Sequence, residues 1–259
     1  LVPPVVWTRR SLERLRAPSG AASASVRVVS WASGSDLAFA AFVDDVELSP
    51  SNRFVTLTVP TAASVDGARG ERFRTTLVLT NPAPYTRRVD VALRCRADQP
   101  CSTAAVSLLF APRETRVFAD ALLEIFGKQS GAGALEVTYE ATPGPIVASA
   151  RAATVHAERP GNGMALPVLP SSAARNTATF VGLSDGRAGD GGTRVNGGVY
   201  NPSASAVFVG FTVHAESGEA LDTVFQMVGP GAWAQINDLV SQAGAGPARP
   251  GSFVTFNSE

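Results

Sequence analysis

A strand–turn–strand phrase is written twice in this chain, and that duplication constrains the fold more than any other feature. Phe73-Arg-Thr-Thr-Leu-Val-Leu-Thr-Asn-Pro82 runs on to Val89-Asp-Val-Ala-Leu93, and Thr193-Arg-Val-Asn-Gly-Gly-Val-Tyr-Asn-Pro202 runs on to Val209-Gly-Phe-Thr-Val213. One ungapped offset of 120 residues carries Asn81-Pro82 onto Asn201-Pro202 and Arg74 onto Arg194, and it places Val89, Val91 and Leu93 on Val209, Phe211 and Val213. In both copies apolar residues alternate at period two. The break falls at Asn-Pro, where proline has no amide hydrogen to give a sheet ladder. Each copy therefore reads as a β-hairpin at the centre of a repeated unit.

The flanking segments follow the same plan. Phe54 to Val59 precedes the first hairpin as a strand, and Thr103 to Phe110 follows it as another, with Pro112 turning the chain. Ala119-Asp-Ala-Leu-Leu-Glu-Ile-Phe126 has helical spacing with Gly127 as a stop, which predicts one or two helical turns between two sheets. Gly133 to Tyr139 and Ile146 to Val155 complete the unit as strands around Pro143-Gly-Pro145. In the second copy Met164 to Pro170 aligns with the strand ending at Pro60 by its closing proline. Ala232 to Val240 takes the place of Arg116 to Leu122, with Asp238 against Asp120, and Gly251 to Thr255 takes the place of Gly133 to Val137 at an offset of 118. The second unit then reaches Glu259 one strand short.

The N-terminal segment supplies a counterpart of that strand. Leu1 to Trp7 is extended by its prolines, and Ser11 to Arg16 reads as a short helix stopped by Pro18 and Gly20. At an offset of 109, Val26 and Val28 match Leu135 and Val137, while Leu37, Phe39 and Ala41 match Ile146, Ala148 and Ala150. The apolar run Leu37 to Val43 is short enough for a buried strand and closes on Asp44-Asp45. The expected organisation is a half unit, a whole unit and an unfinished unit. An unfinished β-sandwich exposes backbone groups that invite another strand. Three arrangements follow: a window of a longer array, closure by the chain's own Leu37–Glu47 strand, or closure by that strand in a neighbouring molecule. The absence of Met at position 1 points to a processed protein or an excerpt.

Composition narrows the chemistry. The 22 basic and 22 acidic residues cancel, which removes any general attraction to nucleic acid or an anionic membrane. No apolar run approaches the roughly 18 to 20 residues of a membrane helix. Lys128 is the one lysine, so a Schiff base or an internal Lys–Asn crosslink would rest on it alone. Cys95 and Cys101 bracket a turn-rich loop after a predicted strand, a spacing that fits a disulfide pinning the strand end in a secreted or periplasmic protein.

Catalytic and metal constellations are weak. Gly182-Leu-Ser-Asp-Gly186 has the G-x-S-x-G pattern of a nucleophile elbow, but the Arg-Ala-Gly-Asp-Gly-Gly that follows cannot hold the required helix. His156 and His214 each alternate with apolar neighbours in predicted strands. Asp185 to Gly192, and Asp44, Asp45 and Glu47, offer oxygens without the spacing of a calcium loop, and read as a hairpin tip and a charged edge. No cysteine or histidine pair has zinc spacing. Trp7, Trp31 and Trp233 read as core or interface packing rather than sugar platforms, and Arg74 and Arg194 as parts of the repeat's own fold. No catalytic, cofactor-binding or metal residue is assigned.

Phe73 to Pro82, Val199-Tyr-Asn-Pro-Ser203 and Gln235-Ile-Asn-Asp-Leu239 resemble tandem β-sandwich repeats of large secreted bacterial proteins, from about Val26 onward. That resemblance implies immunoglobulin-like sandwiches outside the cytoplasm and brings no catalytic residues. The expected fold is all-β: two tandem immunoglobulin-like β-sandwich domains, each with a short helical crossover, at residues 51–160 and 161–259, the second lacking its last strand, after an N-terminal extension at residues 1–50. The expected function is a non-catalytic, secreted or surface-attached building block of a filament or stalk, joined by β-strand pairing, with Leu37, Phe39, Ala41 and Val43 as the assembly strand. Its partners are copies of itself or neighbouring repeats, with no cofactor, no nucleic acid and no membrane insertion. The alternative is a glycan- or cell-wall-binding accessory module of a larger secreted protein. An enzyme would need a pocket gathering His156 or His214 with distant acids.

Overall fold

The computed structural model describes residues 54–67, 71–96, 104–141, 144–156, 159–181, 183, 195–244 and 251–259. The chain divides into two compact units, residues 1–50 and 51–259, and every described residue lies in the second. Leu37, Phe39, Ala41, Val43 and Cys101 lie outside the described residues. The described chain is mostly strand, as alternating apolar patterning demands, and its sheets are open and antiparallel.

The first repeat is built from β1 (Phe54–Asp66), β2 (Arg72–Thr80), β3 (Arg87–Cys95), β4 (Val106–Phe110), β5 (Thr115–Phe118), α1 (Ala121–Phe126), β6 (Gly131–Glu140), β7 (Val147–His156), β8 (Arg159–Leu166) and β9 (Leu169–Pro170). One layer runs β4-β3-β6-β1, and the other is β2 with β7 and then β8 on one side and β5 on the other. The 13-residue β1 joins them. It pairs with β6 from Phe54 to Val59, the register breaks at Pro60-Thr61, and beyond the break Ser64 to Asp66 also pairs with Arg74 to Arg72 of β2. Proline cannot donate to the ladder, so the break falls where the strand must bend from one layer to the other.

Alternation then fills the space between the layers. Val59, Leu77, Leu79, Val89, Val91, Leu93, Leu135 and Val137 all point inward and are fully buried, with Phe110 and Leu122 closing the ends. Helix α1 caps one end of this core. Asp120 is its N-cap, accepting from the Leu123 amide (3.2 Å), while Glu124, four residues on, accepts from the Asp120 amide (2.9 Å). Gly127 ends the helix in the left-handed region at φ 66°, returning its N–H to the carbonyls of Leu122 and Leu123. Gly133 answers a different constraint: a Cβ there would stand 2.4 Å from the Arg94 carbonyl oxygen, so β3 and β6 close up only over glycine.

The second repeat comprises β10 (Thr177–Val181), β11 (Gly197–Tyr200), β12 (Val207–His214), β13 (Ala220–Val228), β14 (Trp233–Ile236), α2 (Leu239–Gln242) and β15 (Phe253–Ser258). Its larger sheet, β13-β12-β15-β10, reproduces the order β4-β3-β6-β1. Its other layer is β11 paired with β14, as β2 pairs with β5. Val209, Phe211, Val213, Ile236, Leu239 and Val254 form its core.

Two sequence alignments are corrected. Met164 to Pro170 is not the counterpart of the strand ending at Pro60: β8 pairs with β7, and β9 adds to β1 itself, so the first repeat's sheet reaches Pro170, beyond the expected boundary at residue 160. The true counterpart of β1 is β10, because Phe180 faces Val254 as Val59 faces Leu135. A closing proline ends strands of every kind, whereas equivalence is fixed by neighbours. The offset of 118 at the last strand is also one residue short. Leu93 pairs with Leu135 and Val213 with Val254, which sets the offset at 119 and keeps Leu135 and Val254 on the inner face. A slip of one residue would have turned every side chain of that strand outward.

The expected hairpins are corrected: β2 and β3 share no ladder but lie in opposite layers, as do β11 and β12, because the inward residues of each strand are buried across the core rather than beside one another. The repeated asparagine is the tie of each of these crossings. Buried Asn81 donates from Nδ2 to the carbonyls of Tyr85 and Ala111 (both 2.8 Å) and accepts from the Ala83 amide (3.1 Å), binding the β2–β3 turn to the β4–β5 turn. Asn201 repeats this, donating to Ser205 (2.8 Å) and Val228 (3.1 Å) and accepting from the Ser203 amide (3.0 Å). Asn81→Ala removes both donated bonds and the accepted one from a buried side chain and is expected to cost about 1–3 kcal/mol in urea unfolding. Asn81→Asp, equal in size but without the donor, is expected to lose at least as much. A loss below about 0.5 kcal/mol for both would show that the turns hold without it.

Candidate functional site: the open flank of the second repeat

Comparing equivalent positions locates an opening. In the first repeat β2 is paired along both edges, with β7 on one side and with β5 and the end of β1 on the other. In the second, among the described residues, β11 pairs with β14 alone. Among the described residues, the edge that corresponds to the β7 side of β2 carries no ladder. Leu77 and Leu79, with β7 laddered beside them, are fully buried, whereas their counterparts Gly197 and Val199 are half-buried. Directly opposed residues of an antiparallel pair share a face, so Phe180, opposite the buried Val254, points to the inner side of its sheet. Yet Phe180 is 49% exposed where its counterpart Val59 is 0% exposed. Among the described residues, the inner face of the second repeat is thus left partly uncovered along the flank between β10 and β11.

The outer face of the β11–β14 layer is occupied instead by the first repeat. Tyr200 donates its phenol proton to Glu136 of β6, and Glu136 is held from the other side by Arg94 of β3 (2.7 Å). Trp233, 2% exposed, lies over Gly198, and its backbone bridges to Arg96 at the end of β3. Burial, then the hydrogen bond and negative charge of Glu136, hold the Tyr200 proton well above the usual phenol range against the opposing pull of Arg94. Burial lowers the Arg94 pKa, but the hydrogen bond and charge of Glu136 outweigh it and raise it overall. This junction was not foreseen from the sequence. Its signal was a departure from the repeat, Tyr200 standing where the first copy has Thr80.

Other residues singled out from the sequence fall elsewhere. Cys95 is buried at the end of β3 beside a cleft lined by Val65, Arg96, Lys128 and Gln235. Arg74 is 3.7 Å from buried Asp120, which also accepts from Ser64 (2.8 Å). These contacts tie β1, β2 and α1 together, a role within the fold. His214 stacks on Phe253 with ring centroids 4.5 Å apart, and its ring nitrogens meet the Gly218 carbonyl and the Thr255 hydroxyl. β7 ends at His156. Ser184, Asp185, Gly186, Arg194, Asp44, Asp45, Glu47, Trp7 and Trp31 lie outside the described residues. Among the described residues no three metal-ligating side chains gather, and no helix is long and apolar enough to cross a membrane. No family model matches the chain, and no curated protein or solved structure matches it either.

Tyr200→Phe is expected to cost about 1 kcal/mol at neutral pH in chemical unfolding. Because the folded-state pKa is raised, the contribution of Tyr200 is fully present below the unfolded phenol value near 10 and is lost as pH rises above it. The gap between native protein and variant should therefore narrow above pH about 10, and absorbance titration at 295 nm should show one late-ionising phenol missing from the variant. An unchanged gap across that range would remove the junction's role.

Proposed function

We propose that this chain is a non-catalytic structural building block of two tandem immunoglobulin-like sandwiches, assembled end to end by β-strand pairing into an extracellular filament or surface stalk. The observation that carries this reading is Phe180, an inward-facing core aromatic left half exposed where the first repeat buries Val59 completely. Exposed apolar flanks beside unpaired backbone are templates for another strand, and soluble proteins rarely keep one without a partner. A zero net charge is compatible with close packing of many copies. A Cys95–Cys101 disulfide belongs to the same reading, pinning the end of β3 beside the junction in an oxidising compartment.

A second reading has one observation of its own. On the outer face of the β13-β12-β15-β10 sheet, Phe208 and Phe225 stack with centroids 5.2 Å apart and stay 44% and 60% exposed, where the first repeat has the polar Arg88 and Ser107. Exposed aromatic rings beside Asn257 and threonines would suit a glycan- or cell-wall-binding accessory module. Rings already stacked on each other offer less open π-face than a platform needs, which ranks this reading second.

Negative-stain electron microscopy of native material, with its intact mass, tests the first reading. Regular fibres built from a chain of about this mass are expected. Dispersed single particles at all concentrations would overturn it, and retention of such particles on a polysaccharide column through Phe208 and Phe225 would favour the second. In a fibre-forming preparation, Phe180→Ser should abolish fibres while leaving the thermal midpoint of the dispersed chain nearly unchanged, since a half-exposed side chain contributes little to its own repeat. Fibres that persist in this variant would remove the open flank from the assembly.

A further inference from the structure

Resting on strand-paired assembly, we infer that the open flank of the second repeat is the seat of the Leu37–Val43 segment of a second copy, bound antiparallel to β11 with Phe39 opposite Val199. The register is carried over from the first repeat, where the equivalent edge is filled. There Thr80 faces Val147, Leu79 faces Ala148, Val78 faces Ser149 and Leu77 faces Ala150. The offset of 120 turns β2 into β11, and the agreement is independent of sequence: Leu77–Phe118 and Thr80–Thr115 in one repeat correspond to Gly197–Ile236 and Tyr200–Trp233 in the other. The offset of 109 turns β7 into the N-terminal segment. Together they pair Tyr200 with Ala38, Val199 with Phe39, Gly198 with Ala40 and Gly197 with Ala41.

Side-chain volume supports this register. On the acceptor side, two inward leucines of β2 have become smaller, Leu77 to Gly197 and Leu79 to Val199. On the donor side the inward residues have grown or held, Ala148 to Phe39, Ala152 to Val43, Ile146 to Leu37 and Ala150 to Ala41. Volume lost on one partner is restored by the other, as close packing requires when two surfaces share one core. The largest gain, Phe39, falls opposite the half-buried Val199, on the flank where Phe180 is uncovered. The alternation that buries Leu37, Phe39, Ala41 and Val43 leaves Ala38, Ala40 and Phe42 on the outer side.

Paired cysteines on the outer face test the register. Gly198 is exposed, and a Cβ added there would meet Trp233 at 3.9 Å, ordinary contact, so Gly198→Cys is tolerated. One full-length preparation carries Gly198→Cys, another Ala40→Cys, and the two are mixed under assembly conditions and oxidised. A disulfide-linked dimer is expected, at least tenfold above the yield with Phe39→Cys in place of Ala40→Cys, because a shift of one residue places the thiol on the opposite face. A chain carrying both Gly198→Cys and Ala40→Cys should give a ladder of covalent multimers. Fibres without the linked dimer would overturn the seat and register while leaving filament assembly standing, and equal yields at positions 39 and 40 would do the same. Closed monomers from the double variant would overturn the second copy as donor. Absence of both fibres and crosslinks would overturn the proposal together with the reading beneath it.

Discussion

The described fold depends on the buried asparagine at the turn that carries each repeat from one layer to the other. β2 and β3 have no ladder between them; Asn81 bonds their turn to a second turn 30 residues away, and its backbone N–H reaches the Glu114 carbonyl at 2.8 Å. With Asn81 in place, β2–β3 and β4–β5 cannot slide independently, and slippage is what a period-two pattern punishes most. Asn201 does the same in the second repeat, its N–H reaching the Ala232 carbonyl at 3.0 Å. The proline after it is exposed and ends the strand, while the amide side chain before it organises the layers.

The two repeats share this scaffold and differ in what their outer faces meet. On the outer face of β3 and β6, Arg94 and Glu136 form an ion pair that receives Tyr200. The equivalent positions of the second repeat hold His214 and Thr255, which bond to each other at 2.9 Å. One outer face is thus charged and engaged by a neighbouring layer, and the other is neutral, with Phe208 and Phe225 on it. A repeat built for an endless identical array would keep the same residues at each junction. The difference gives the pair a direction, with the first repeat receiving and the second inserting.

Much of the architecture was legible in the sequence because alternation and turn chemistry are local. The strands on either side of each Asn-Pro, the helical turns after Ala119 and the place of Ala232 to Val240 all follow from patterns within about ten residues, whereas the pairing of those strands with partners in separate layers does not. What local pattern missed was set by distant partners. β10 is five residues, Thr177 to Val181, with threonines facing out and no proline to mark it, and only its pairing with β15 shows it to be the match of β1. Gly133 and Gly251 suggest an offset of 118 for the last strand, whereas a single insertion after α2 sets its register at 119. For the open flank the informative residues were the mismatches Gly197 for Leu77 and Val199 for Leu79, and for the junction Tyr200 for Thr80. Identity between copies revealed the fold, and loss of identity marked where the copies meet different neighbours.

The long strand β1 has a mechanical meaning. It shares ladders with β6, β2 and β9, and it turns from one layer into the other at Pro60-Thr61. A pull along its axis loads the hydrogen bonds to β6 side by side, in shear, whereas peeling an edge strand such as β4 breaks them one after another. The bend adds a second lock, since β1 cannot be drawn through without also disturbing Ser64, Thr75 and Asp120, whose buried polar contacts sit at the crossing. In the first repeat, therefore, a strand that helps close the core is also the one that a pull along its axis would load.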